Sequence, residues 1–301
     1  MKRLFFLILL SVSFFYLKAQ NNNSESKVIA QDSSIYLFET NDGNQFTGTI
    51  ISEDNDKYVV QTVNFGVMNI NKMVLSKKVK IEKSNIVNNT YYFDNPHATR
   101  YFFGPSAYTL KKGEGYYQNI YLLYNQFSYG LTDRFTIGGG LIPIFLFGAT
   151  GNLPLFITPK YSFPVKKNLN LAVGVMYFNL FGSTGIDTDF GITYGVATFG
   201  SKDKNLSVGL GFPFSNSGFS KTPAISISGI SRIARKWSVL TENYIFPGEE
   251  TVIVGSVLFR YMTQKFAWDF GLARPLSFSD VSDLGYLVGI PVIGATIKFG
   301  K

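Results

Sequence analysis

Residues able to do chemistry are few in this chain, and they lie far apart. The 301 residues include no cysteine and a single histidine, which excludes thiolate nucleophiles, cysteine-ligated metals and any histidine cluster built from one chain. His97 stands in DNPHATR, where it could serve as the base for a serine nucleophile or simply pack in a connecting segment. Gly138 to Gly140 lie in RFTIGGG with no helix after them, so they read as strand curvature or crowding and not as a phosphate cradle. No cofactor and no metal are implied. The informative charges are Asp189, Arg232, Glu242, Arg260, Asp269 and Lys298, each inside an otherwise apolar, strand-length segment. Such a charge must turn to an interior and pair there. The set forms either a structural ion network or a charged constriction that selects solutes, and sequence leaves both open.

The elements that position these charges show period-two alternation. In 206–214, Leu206, Val208, Leu210, Phe212 and Phe214 alternate with Ser207, Gly209, Gly211 and Pro213. Residues 266–273 set Phe266, Trp268, Phe270 and Leu272 against Ala267, Asp269, Gly271 and Ala273, and 189–197 set Phe190, Ile192, Tyr194 and Val196 against Asp189, Gly191, Thr193, Gly195 and Ala197. The smaller face has too few charges to be a water-exposed surface. We therefore expect the bulky faces to meet lipid and the small ones a narrow lumen. The alternation is blurred in 116–129 and 237–246, where apolar residues fall on both faces. Tight polar turns recur at LTDR (131–134), VKKN (165–168), SKDKN (201–205), ARK (234–236) and TQK (263–265), while longer Gly-, Ser- and Pro-rich connections lie between them.

The ends and composition agree. MKRLFFLILLSVSFFYLKAQ reads as a secretory signal peptide over residues 1–19, too short in its apolar run to span a membrane as a helix. Its removal deletes Lys2, Arg3 and Lys18 and takes the net charge from +8 to +5. No Lys/Arg block marks a nucleic-acid partner. Aromatic residues make up 16% of the chain, as many as the charged ones, unusual for a soluble core and expected for strands between lipid and a crowded lumen. Residues 20–34 read as a polar, disordered leader. Residues 35–82 carry four or five short β-prone runs separated by NDGN, EDND and NFG, a small β domain. The Asn-rich stretch 83–96 reads as a linker, and 97–301 as the larger β module.

The C-terminus carries the most specific resemblance. Gly294, Ile297 and Phe299 in VIGATIKFG have the spacing of the assembly signal that closes outer-membrane β-barrel proteins, although Gly300 and Lys301 follow the aromatic. With the alternation, the chain resembles that class. The resemblance implies an all-β, antiparallel transmembrane barrel of about twelve strands in the outer membrane of a Gram-negative bacterium. An even strand count puts both barrel termini on the periplasmic side. Its partners would be outer-membrane lipid, the barrel assembly machinery and periplasmic chaperones, with no nucleic acid. Asp42 and Gly43 in the first turn, with Gly48 and Gly66, make 35–82 resemble the Sm-like and SH3-like small barrels, a generic β-meander being the other reading. The function expected is passage or binding of a small, unidentified solute, with no catalytic chemistry and with the small domain as a periplasmic adaptor. A non-conducting structural or interaction barrel is the alternative, and a lipid hydrolase using His97 is third. On this topology His97 lies near the periplasmic rim.

Overall fold

The structure is a computed structural model that describes residues 33–62, 64–143, 153–181, 189–275 and 289–300. The expected signal peptide, and the leader except for Ser33 and Ser34, lie outside the described residues. The chain divides into two compact units, one ending at Tyr92 and the other beginning at Phe93.

In the first unit, β1 (Ile35–Thr40), β2 (Gln45–Glu53), β3 (Lys57–Thr62), β4 (Gly66–Asn71) and β5 (Leu75–Ile81) form an antiparallel sheet of order β4-β3-β2-β1-β5. The turn residues act locally: Gly43 and Gly66 take positive φ, and Asp54 Oδ1 accepts from the N–H groups of Asp56 and Lys57. Phe38, Ile50, Val60 and Ile70 form the core. Residues 83–96 are more structured than a plain linker. They hold a 3₁₀ turn over Lys83–Asn85 and a small hairpin pairing Ile86–Val87 with Thr90–Tyr91. From Phe93 onward they belong to the second unit, where Phe93, Asn95 and Pro96 are buried.

Among the described residues of the second unit, twelve antiparallel strands close into a barrel. They are β6 (Glu114–Ile120), β7 (Tyr124–Gly130), β8 (Phe135–Leu141), β9 (in two pieces, Leu153–Ile157 and Lys160–Lys166), β10 (Leu169–Phe181), β11 (Asp189–Gly200), β12 (Lys204–Ser215), β13 (Ala224–Ala234), β14 (Trp237–Phe246), β15 (Val252–Met262), β16 (Phe266–Pro275) and β17 (Ile290–Gly300). Each pairs with its sequence neighbour, and β17 pairs back onto β6 with Ile297 opposite Tyr117 and Phe299 opposite Gly115. Strands therefore begin at Glu114 and not at the start of 97–301. Residues 93–113 do something else.

The wall is apolar outside. Leu206, Val208, Leu210 and Phe212 face outward on β12, as do Trp268, Phe270 and Leu272 on β16, with Leu272 50% exposed while Asp269 on the other face is 2% exposed. Tyr129, Tyr161, Phe199, Trp237, Trp268 and Phe299 are outward-exposed near the end that carries the tight turns, a girdle of the kind found where barrel walls meet a membrane interface. One expected face is reversed. On β11 Val196 is buried against Ala107 and Ala172, with Tyr194 packed on them, so the bulky side of 189–197 points inward and Gly195 opens outward with nothing near its Cβ direction. The small Ala107 inside leaves room for a large wall residue, and alternation alone does not say which face is which.

The seam joining first and last strands is held on both faces. Inside, Lys298 Nζ donates to Glu114 Oε1 at 2.8 Å. Outside, the Phe299 ring covers Gly115 so closely that a Cβ there would lie 2.3 Å from it, aromatic cover of a strand glycine. Ile297 faces outward beside Phe299, whereas Gly294 faces inward against Phe102. Because closure pairs every strand edge, no backbone group is freed cheaply in lipid or detergent. The unheated protein should migrate faster than the boiled protein on a gel and fractionate with the outer membrane. Phe299→Ala should reduce the amount of this heat-modifiable form without blocking export. Recovery of folded wild type in the soluble periplasmic fraction would overturn the barrel assignment.

Candidate functional site

The candidate site is the lumen, and most of it is occupied by the chain itself. Residues 93–113 enter the barrel and double back as a tight hairpin. Tyr101 N–H donates to Gly104 O at 2.9 Å, Ser106 N–H donates to Thr99 O at 3.1 Å, and Arg100 bridges to Pro105. Asn95, His97, Thr99, Arg100, Tyr101, Ser106, Ala107 and Leu110 are all buried. Apart from Lys111 and Gly113, which bond to wall backbone at the entry to β6, this backbone forms no ladder with the wall, so its N–H and C=O groups need other partners.

The wall supplies them as side chains. At the hairpin tip the Glu242 carboxylate accepts three successive N–H groups: Phe102 to Oε2 at 2.8 Å, Phe103 to Oε2 at 3.0 Å and Gly104 to Oε1 at 3.0 Å. Tyr244 OH donates to Oε1 at 2.6 Å. Consecutive N–H groups make an anion-binding concavity, and here the anion belongs to the barrel. Glu242 sits where the β14–β15 ladder is interrupted. Pairing stops after Leu240–Leu258 and resumes at Tyr244–Val254, and Ser256 Oγ bridges the gap, accepting from Glu242 N–H at 3.0 Å and donating to Glu242 O at 2.7 Å.

Arg260 handles the opposite polarity. It is fully buried and grips Asp269 of the neighbouring strand in a bidentate pair, Nε to Oδ1 at 2.6 Å and Nη2 to Oδ2 at 2.9 Å. Its remaining donors reach the hairpin carbonyls, Nη1 to His97 O at 2.8 Å and Nη2 to Tyr101 O at 2.6 Å. Lys160 Nζ donates to Thr99 O at 2.8 Å and Ser106 O at 3.0 Å. Hydroxyls and amides complete the set. Ala107 N–H donates to Thr198 Oγ1, Leu110 N–H to Thr136 Oγ1, Gln118 Nε2 to Phe102 O, and Tyr101 OH to Ser207 Oγ. Between plug and wall lies an apolar core in which Tyr101 packs with Ile230, Leu240, Leu258 and Val292. This core explains the blurred alternation in 237–246, since Leu240 is an inward apolar residue packed on the plug. Tyr116, Ile120 and Tyr124 blur 116–129 in the same way, buried inside the barrel.

The predicted charges divide. Glu242 and Arg260 meet the plug, and Arg260 and Asp269 pair with each other. Arg232 also turns inward, at the tight-turn end, where Nη1 donates to Phe93 O at 2.7 Å and to Asp203 Oδ2 at 3.0 Å. Lys298 closes the seam. Asp189 is the exception to a lumen placement: as first residue of β11 it shares the outward parity of Gly191 and Gly195 and accepts from Asn179 of β10. At a strand end a carboxylate can stay hydrated, so it need not turn in. His97 is not at a solvent-accessible rim. It is fully buried, its ring edge-on to Tyr116, with Nδ1 3.8 Å from Asp269 Oδ2. Gly138 is a close-approach position, because a Cβ would fall within 2.4 Å of both Thr158 Oγ1 and Gln126 Nε2 in the lumen.

Sequence reasoning missed Arg100, Lys160 and the whole hairpin. A signal was present: ATRYFFGPSAYTL breaks the period of two, and Gly104-Pro105 within it argues against a central strand.

Above the hairpin tip a cavity of about 290 Å³ opens into the lumen, floored by Phe103, Gly104 and Pro105 and walled by inward residues of β10 to β14, among them Met176, Tyr194, Tyr244 and Phe246. Among the described residues no group of acidic, histidine or cysteine side chains is arranged to hold a metal.

Comparison of the sequence with protein-family models and with curated proteins gives no match. Among solved structures, the chain is similar to the KdgM porin, with 9% identity, 62% of this chain and 98% of that chain covered and a TM-score of 0.44. It is also similar to Pseudomonas aeruginosa OprD, with 9% identity, 93% and 98% covered and a TM-score of 0.36. A loop-deleted OmpT of Vibrio cholerae, described as an outer membrane protein, matches at 11% identity over 88% and 96% with a TM-score of 0.35.

Removing one member of the Arg260–Asp269 pair strands the other in a dry site, which costs about 3–5 kcal/mol. Arg260→Met should therefore lower the urea midpoint of the compact gel form and expose Arg100 to trypsin, and Arg260→Met with Asp269→Leu should recover much of the midpoint. An unchanged midpoint in the single variant would show that the pair does not hold the plug.

Proposed function

We propose that this protein is an outer-membrane barrel that binds and passes a small solute through a lumen closed by its own residues 93–113. The observation that carries the reading is the cavity above the hairpin tip: one end of the lumen is left as a concave site, and its floor is a segment that makes no ladder bonds to the wall. Such a floor can be displaced without opening the barrel. The strands stay paired whether it is in or out.

The small unit ending at Tyr92 runs directly into the plug along the chain, which fits an adaptor role on the periplasmic side. Its strand order, β4-β3-β2-β1-β5, suits the small-barrel resemblance drawn from Asp42, Gly43, Gly48 and Gly66. Burial of His97 within the plug supports a structural part for it over a Ser–His hydrolase. A non-conducting scaffold is the second reading, favoured by how densely the plug is bonded.

Deleting residues 99–106 separates the two readings. Thr99 and Ser106 face each other across the hairpin, so Ala98 and Ala107 can be joined with little rearrangement, and the released Glu242, Arg260 and Lys160 would be hydrated in the opened lumen. In planar bilayers the wild type should be nearly silent and the deletion variant, once shown to be heat-modifiable, should carry steady current. A folded deletion variant that stays silent would leave the scaffold reading.

A further inference from the structure

The lumen cavity has a chemistry of its own, distinct from the charged network beneath it. Among the described residues no charged side chain lines it. Phe103 and Pro105 form its floor, and Met176, Tyr194, Tyr244 and Phe246 are in its wall. Glu242 lies just below, with both carboxylate oxygens taken by the hairpin tip and Tyr244. It offers an incoming ligand no free acceptor and disfavours a second negative charge nearby. An anion or cation entering would shed water and find no partner.

We propose that this cavity is the binding site for a small uncharged aromatic compound. This rests on the solute-binding reading and names the class of solute. Four aromatic rings and a thioether surround the space, and aromatic rings pack on one another in offset or edge-on arrangements, with sulfur a favourable neighbour at the ring edge. The size agrees: an apolar protein cavity of about 150 Å³ already takes benzene, and this one is about 290 Å³, enough for a substituted single ring. The plug tip ends the cavity below, so a long acyl chain has no room to extend past Phe103 while the hairpin is in place. The occupant touches both the plug tip and Tyr244, whose hydroxyl shares Glu242 Oε1 with the Gly104 N–H. Binding is thereby felt at the contact that anchors the plug.

The test is a ¹⁹F NMR titration of full-length protein in lipid nanodiscs with 4-fluorotoluene, using empty nanodiscs to measure partitioning into lipid. A saturable bound signal beyond the lipid baseline is expected. 4-Fluorobenzoate, the same ring with a charge, should bind at least about tenfold more weakly. Ala224→Phe, which places a ring inside the cavity that Ala224 helps line, should abolish the saturable signal. Phe246→Ala alters a residue that is 43% exposed and should weaken binding several-fold without affecting folding, so it decides the matter if Ala224→Phe fails to become heat-modifiable. No saturable signal in the wild type, equal binding of the benzoate, or wild-type binding in both variants would overturn the proposal. If fluorotoluene does not bind but the 99–106 deletion variant conducts, the ligand class falls and passage stands. If it binds while the deletion variant is silent, binding stands and passage falls.

Discussion

A polypeptide segment without regular structure can sit at membrane depth only where protein meets each of its backbone polar groups. The rest of this molecule is arranged around that constraint. The hairpin 99–106 turns its N–H groups toward Glu242 and its carbonyls toward Arg260 and Lys160. Glu242, Arg260 and Lys160 in turn find partners in the hairpin, and Arg260 also has Asp269. Neither side would be tolerable alone: bare charges in a dry lumen and unpaired amides in the same place both carry desolvation costs of several kcal/mol. Together they cancel. The polar interior is thus a mould of one loop's backbone, and this sets it apart from a lining prepared for water.

The same interior contains a hydrophobic core, which is unusual for a barrel whose outer wall is also apolar. Tyr101 among Ile230, Leu240, Leu258 and Val292 makes a packed contact between loop and wall, so the plug is held by burial as well as by hydrogen bonds. The Glu242 end differs. There the tip is held by hydrogen bonds to a carboxylate at a break in the strand ladder, and beside it lies the cavity. The plug is thus held in a gradient, from a packed core to a polar tip beside a cavity.

Much of the barrel was legible in the chain. The bulky outward stripes of β12 and β16, the tight turns at one end, and the closing Ile297 and Phe299 follow from a period of two and from turn chemistry, both local properties. The in-strand charges were legible as interior groups for a simple energetic reason, and five of the six are inside. Asp189 is not, because a strand's first residue escapes the penalty that the argument assumed. The inward bulky face of β11 was beyond reach for a related reason: alternation states that two faces differ, while the neighbour across the lumen decides which face goes in, and that neighbour is Ala107, 89 residues from Val196 along the chain.

The sequence by itself determined the class of the larger unit, an antiparallel barrel with an apolar exterior, because side-chain period, turn residues and the cost of buried charge all act over a few residues. Tertiary structure alone decided what fills that barrel. Residues 93–113 have no period to announce an element, and their partners Thr136, Lys160, Thr198, Ser207, Glu242 and Arg260 come from strands spread around the wall. Only closure of the sheet brings those side chains to face one another across a lumen, and only then is there an inside for the hairpin to occupy and a cavity above it for a solute.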